Sequence, residues 1–377
     1  MARRGKLPGL LAACVLLSVM SAGQSDAEAD NWRSTFTLTY EPTGKPGLEK
    51  KSDMGQIITG SRYRLDSKGD CGNALKGVKV NARFCFDSKD PSRNVWTPQG
   101  VSHVSDAYDA EAWTDPAHRV WQPLLVSWYL GKGESTRSRI TVIAPREAGK
   151  DPVYDHVELV RGSNAANVPT HAGGIAWYGQ YLYVAETYVG IHVFDLTDIR
   201  VKDNGGYVLP EIGVWRADDT GGTTGVCTGT NPQPRFSSMS VVRASHRILV
   251  SEFCGDEKTH TAKGRVVSYQ ADGKVLGRLE AGAKAKPVAA LNLPKQHIQG
   301  VASDGRWFYL NQSYGRSGKI RMMHRAKPSG ANLKVTNSVT GAVGGEDLSL
   351  QRHRSLLWSV TEFPSSRVIY NVRTGSL

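Results

Sequence analysis

The sequence predicts an all-β fold of propeller type, with five blades and six as the alternative, on three observations. A unit of short apolar strands separated by polar turns recurs through the chain, with clear copies starting at His171, Ser237, His297 and Asp347, at steps of 66, 60 and 50 residues. Repeats of this length, each with three or four short strands, are what propeller blades require. Within each copy, a polar residue before the first strand is followed 15 residues later by a polar residue at the end of the second. Finally, 40 of the 377 residues are glycine and only 22% are charged. Glycine above the average of about 7% favours tight turns over long helices.

The chain begins as an export signal would. Arg3, Arg4 and Lys6 precede an apolar run from Leu7 to about Ala22, and small residues follow as far as Ala29. This three-part pattern is too short for a spanning helix and predicts a secretory leader over residues 1–29. Leu11-Ala-Ala-Cys14 also matches a lipoprotein box, the less favoured alternative because the apolar run continues past Cys14. The whole chain carries a net charge of +12. Without residues 1–29 it keeps 44 Lys and Arg against 33 Asp and Glu, so the basic balance does not come from the leader. Such a balance favours anionic partners. The cations are dispersed, which argues against nucleic acid, and no second apolar run is long enough to span a membrane.

Residues 30–98 are expected to form a β-rich segment that closes the ring, caps it or adds an extra blade. Ser34-Thr-Phe-Thr-Leu-Thr-Tyr40 alternates polar and apolar residues and is assigned as the outer strand of the last blade. Beyond the leader, four cysteines remain: Cys71, Cys85, Cys227 and Cys254. In an exported chain they form two disulfides, and pairing 71 with 85 and 227 with 254 closes the shortest loops.

Residues 99–377 carry the repeat. One copy reads His171-Ala-Gly-Gly-Ile-Ala-Trp177, Tyr181-Leu-Tyr-Val-Ala-Glu186, Gly190-Ile-His-Val-Phe-Asp195. Others run Ser237 to Tyr269, His297 to Met323 and Asp347 to Val372, and a longer one starts near Tyr108. Because the first two strands of a blade are antiparallel, the start of one and the end of the next share one end of the sheet. The offset of 15 therefore predicts a polar ring at one channel mouth, built from His171 with Glu186, Ser237 with Glu252, His297 with Gln312 and Asp347 with Glu362, and flanked by Glu346.

His171 and His297, with Asp347 and Glu186, are the candidate catalytic groups, since a histidine beside a carboxylate acts as a general base near neutral pH. Glu252, Gln312, Glu346, Glu362 and the aromatics Tyr188 and Tyr314 are candidate binding residues. A carboxylate cluster also has the oxygen chemistry to hold Ca²⁺ or another divalent cation. His118, His246 and His353 fall in turns at the opposite end, His192 is read as a satisfied surface or edge residue, and His103 is placed near the channel. No GxSxG, HExxH, GxGxxG, P-loop or EF-hand spacing occurs, which removes most serine-esterase, zinc-protease and nucleotide-dependent readings.

Val126-Ser-Trp-Tyr-Leu130, His171 through Val184 and Val193-Phe-Asp-Leu196 together resemble a group of secreted bacterial proteins with propeller-type repeats and no assigned function, over about residues 96–372. At the level of the repeat the chain is similar to gluconolactonase-like and streptogramin-lyase-like propellers. Their metal-binding motifs have no residue-by-residue match, so the resemblance implies an architecture and no catalytic residue. The expectation is a secreted, monomeric propeller that is an extracellular hydrolase or lyase. The alternative is a non-catalytic binding protein for a saccharide, a cell-wall polymer or a protein; in either case the ligand is a small molecule or a polymer, of anionic character.

Overall fold

In a computed structural model, the described residues are 35–48, 50–131, 137–147, 149–218, 235–255, 263–273 and 275–377; the expected leader, Cys14 and Cys227 lie outside them. The fold is all-β and propeller-like; among these residues short α-helices run at Met54–Gly60 and Val104–Ala107, and 3₁₀ turns at Pro91–Asn94, Leu196–Asp198, Arg243–Ser245 and Thr374–Ser376. Strands assemble into four-stranded antiparallel units. The first contains Thr97–His103, Leu124–Leu130, Arg137–Ala144 and Val153–Arg161. The second contains Ile175–Tyr178, Tyr181–Glu186, Gly190–Asp195 and the long Tyr207–Ala217. Ser238–Val242, Arg247–Ser251, Arg265–Gln270 and Ala289–Asn292 form the third, and Ile298–Ser303, Phe308–Tyr314, Ile320–Ser329 and Asn332–Thr340 the fourth. A fifth unit takes Ser349–Gln351, Leu356–Val360 and Val368–Arg373 from the C-terminal end and its outer strand, Ala82–Cys85, from the N-terminal segment.

The strand that completes the fifth unit corrects an expectation. The alternating segment up to Tyr40 does not close it. Leu38–Pro42 pairs instead with the outer strand of the second unit, Leu38 opposite Ala217, and with Lys284–Ala285 beside the third. Its apolar face explains the choice: Phe36, Leu38 and Tyr40 are buried, with the Tyr40 ring 5.2 Å from Trp215 and Phe36 6.1 Å from Phe236. The segment therefore seals the seam between two units, where its three inward side chains have a core to enter. Cys85, in the strand that closes the fifth unit, is bridged to Cys71 as the spacing predicts.

First strands of successive units approach each other around an axis. Ile175 and Val101 reach one carboxylate oxygen of Asp347 through their backbone N–H groups. A Cβ on Gly174 would lie 2.1 Å from the Met239 nitrogen, so the second and third units approach there too closely for any side chain. Ser240 Oγ donates to Val301 O at 2.6 Å, joining the third to the fourth. Asn311 Nδ2 donates to Glu346 O at 2.6 Å, joining the fourth to the fifth, and His103 N donates to Ser349 Oγ at 2.9 Å, returning to the first. Outside this polar centre, apolar faces pack between units around Trp177, Trp215 and Trp128, all fully buried.

Asp106 holds the seam between the fifth and first units. Its Oδ2 accepts hydrogen bonds from Ser102 Oγ and Ser349 Oγ, both at 2.7 Å. Burial pushes its carboxyl up to about 7, opposed by those two hydroxyls, by the Arg352 charge and by a backbone donor at His103; Asp347 is the nearby acidic neighbour. A raised folded-state value means the fold favours the protonated form, so stability from this group is lost as pH rises from about 4 to about 7. In differential scanning fluorimetry, Asp106→Asn is expected to gain on the wild type as pH rises through that window; a Tm difference that does not change with pH contradicts it. Replacing both Cys71 and Cys85 with serine should cost about 3 kcal/mol in urea unfolding, from a bridged loop of roughly 15 residues. An unchanged midpoint would show that the bridge does not hold the closing strand.

Candidate functional site

The loop entering the fifth unit sets the chemistry at the mouth. Gly344 has φ +64°, a conformation glycine accepts readily, and a Cβ there would sit 2.8 Å from the Phe363 ring. Glu346 N donates to Val360 O at 3.0 Å and Glu362 N to Gly344 O at 2.9 Å. This register brings Glu346, rather than Asp347, against Glu362. A shift of one residue turns a strand side chain to the other face, so Asp347 points to the axis, where its Oδ2 accepts from Val101 N and Ile175 N.

Glu346 is 2% exposed, and its carboxyl and that of Glu362 lie close enough to shift one another's ionisation. Burial pushes Glu346 well above the usual carboxylate range, reinforced by the charges of Glu362 and Asp347. Burial also raises Glu362, to about 7, against the pull of Arg316, Arg367 and a hydrogen bond from Gln99. Two neighbouring carboxyls cannot both ionise cheaply, so the pair keeps one proton, held on Glu346, the more deeply buried of the two.

Tyr129, Gln99 and Arg367 complete the surroundings. Arg367 spends its donors on Glu362 O at 2.7 Å, Arg93 O and Thr97 Oγ1, fixing the loop after Glu362. Tyr129, hydrogen-bonded to Thr97, has its phenol raised by burial and by the charges of Glu362 and Glu346. Its ring stacks on His171 at 4.3 Å. Burial holds His171 down to about 4, so the ring is neutral, and it is its backbone N–H that meets Glu186, donating to Oε2 at 3.1 Å.

The other expected members of the ring occupy different surroundings. His297 is buried at the seam between the third and fourth units. Its N donates to Cys254 O at 2.8 Å, and its ring stacks on Tyr314 at 4.1 Å and lies 5.8 Å from Phe253. Glu252 is bound by Arg265 through Nε at 2.8 Å and Nη2 at 3.0 Å. Gln312 donates to Gln296 O and meets His324 Nε2 at 3.0 Å. Tyr188 and Tyr314 are exposed, at 42% and 38%. Among the described residues, no group of three or more His, Cys, Asp and Glu side chains converges as metal ligands. His192 is buried, not at the surface, and its Nδ1 meets Glu211 Oε1 at 2.5 Å. His103 caps the Val104–Ala107 helix and stacks on Trp358 at 6.1 Å.

Gln99 and Tyr129 belong to the same mouth column as the expected pairs, but the offset of 15 misses them. In the first unit a helix and the small hairpin Trp113–Trp121 separate the first strand from the second, stretching the spacing. Reading strand ends instead of a fixed offset would have found Tyr129, which lies opposite Thr97 in register.

No protein-family model and no curated protein matches the chain. Solved structures that resemble it include the periplasmic gluconolactonase PpgL of Pseudomonas aeruginosa, 14% identical with a TM-score of 0.36 over 86% of this chain and 76% of that one. A Bacteroides uniformis protein provisionally named a 6-phosphogluconolactonase is 12% identical, TM-score 0.32, over 70% and 80%. The Myceliophteria thermophila Cps50 (Swd1) β-propeller domain is 9% identical, TM-score 0.31, over 70% and 82%. The chain is similar to these proteins in propeller-type architecture, and the activities named are theirs.

Proposed function

We propose that the chain is an exported five-bladed β-propeller with a hydrolase or lyase site at one channel mouth, and that Glu346 and Glu362 carry the reaction's proton. In this reading residues 1–29 are the leader, 30–98 brace the ring and supply its closing strand, and 99–377 form the blades. The cystine at Cys71–Cys85 fits an oxidising compartment, and no helix of the described residues is long and apolar enough to cross a membrane.

What carries the proposal is a pair of interacting carboxyls, Glu346 buried and Glu362 beside it pushed up to about 7. An enzyme's base works best with a pKa near the working pH. Glu362, ionised, takes a proton from substrate or from an attacking water; Glu346, protonated, steadies the pair and returns a proton to the leaving group. Tyr129 offers a hydroxyl beside them, and His171 positions Tyr129 by stacking. His297, Asp347 and Glu186 then hold the mouth in shape. A binding protein without catalysis is the second reading, favoured by the exposure of Tyr188 and Tyr314 on the same end.

A pH-stat assay over lactones, aryl esters, glycosides and uronate polysaccharides tests the catalytic reading. Because Glu362 acts as the ionised base, kcat/KM for a turned-over substrate is expected to rise with pH through about 7. Glu362→Gln should lower it by about 10²- to 10⁴-fold and flatten that rise. Full activity in Glu362→Gln contradicts the assignment, and no turnover of any class favours the binding reading. His171→Ala should lower kcat by a smaller factor and leave the pH midpoint in place, as a positioning residue would; a displaced midpoint would make His171 itself the base.

A further inference from the structure

We infer a second binding site at the opposite end of the channel, for a small phosphate-type dianion held between Arg243 and Arg352. A cleft of about 170 Å³ lies there, where the first strands of the third, fourth and fifth units end, and its lining includes Arg243, Ser303, Asp304, Tyr309, Arg352 and Thr374. Pockets for drug-sized ligands run to about 300–1,000 Å³, so this one suits a small molecule.

The two guanidiniums converge on one oxygen. Arg243 Nε donates to Asp109 Oδ1 at 2.9 Å, and Arg352 Nη1 lies 3.8 Å from the same atom. Both arginines are fixed by other contacts. Arg352 Nη2 donates to Ser105 O at 3.1 Å and to Tyr108 O at 3.0 Å, and Arg243 lies over the Tyr178 ring at 4.8 Å. The acids nearest to them are already engaged. Asp304 accepts from Arg306 N, Trp307 N and Tyr309 OH, and Glu111 Oε1, 3.7 Å from an Arg352 nitrogen, accepts from Ser105 Oγ and His353 N.

Asp109 shows what the pair does to an anion. The hydrogen bond from Arg243, with the charges of Arg243, Arg352 and His246, holds its carboxyl below the usual carboxylate range. Its side chain is 72% exposed, and an ion pair that open is weak and separates readily. Being tethered, Asp109 still competes at an effective concentration in the millimolar range. A free monocarboxylate gains little over it. Phosphate carries a charge of about −1.5 to −2 and three oxygens that accept from both guanidinium forks, so it displaces Asp109.

Isothermal titration calorimetry at about pH 8, where phosphate is dianionic, and about 0.15 M salt tests this with inorganic phosphate, glycerol 3-phosphate and acetate. Phosphate should bind about tenfold or more tightly than acetate. Asp109→Asn removes the tethered competitor and should tighten phosphate binding about tenfold, whereas Arg243→Ala and Arg352→Ala should each weaken it by about that factor or more. If Arg352→Ala fails to fold for want of its backbone contacts, Arg243→Ala decides. Lys334→Ala removes one charge from the outer strand of the fourth unit and should change nothing. Glycerol 3-phosphate bound at least as tightly as phosphate assigns a monoester ligand; phosphate bound alone assigns the free ion. No binding, equal affinity for acetate, an Asp109→Asn variant no tighter than the wild type, or a loss in Lys334→Ala equal to that in Arg243→Ala overturns the inference. Binding is read here and not turnover, so this result and the Glu346–Glu362 reading stand or fall separately.

Discussion

Everything at the channel mouth depends on the first strands meeting around an axis so closely that at Gly174 no side chain fits. Asp347 makes that junction possible. One of its oxygens takes backbone N–H groups from Val101 and Ile175, so strands of three units meet on a single carboxylate. Buried N–H groups with no partner would cost more than the strands gain by approaching, and the Gly174 contact with Met239 shows how little space remains. Once Asp347 is committed to the axis, strand alternation turns Glu346 the other way, and Glu362 is the neighbour it meets.

A polar axis has a consequence for stability. Asp106, Asp347 and Glu346 are all buried carboxyls held toward their protonated forms. The seams are hydrogen-bonded by serine hydroxyls and amides, while the apolar energy lies farther out between units. The ring is thus closed at its centre by directional bonds and at its periphery by hydrophobic packing, with a strand and a cystine from the N-terminal segment completing the fifth unit.

Much of this was legible in the residues, and the misses share a cause. The repeat and the location of its polar ends could be read because strand alternation and turn chemistry are local. Cys71 and Cys85 were legible for the same reason. Which strand closes the last unit was not, because Ala82–Cys85 is short and weakly patterned, while the strongly alternating Phe36–Tyr40 finds a deeper seam beside Trp215. Asp347 and Glu346 are adjacent acids, and only the register of the fifth unit decides which one faces the mouth. Histidine recurrence pointed to His171 and His297, yet their rings settle into aromatic stacks at two different seams. The expected Cys227–Cys254 bridge includes a residue outside the described part of the chain.

The central claim is that Glu346 and Glu362 share a proton at a pH where an ordinary surface glutamate is fully ionised. Titration of the Glu362 side-chain carboxyl by ¹³C NMR, assigned with Glu362→Gln, measures this directly. The account predicts a midpoint near 7 that moves when Glu346 becomes glutamine. A midpoint in the usual glutamate range of about 4.3, unmoved by Glu346→Gln, would contradict it.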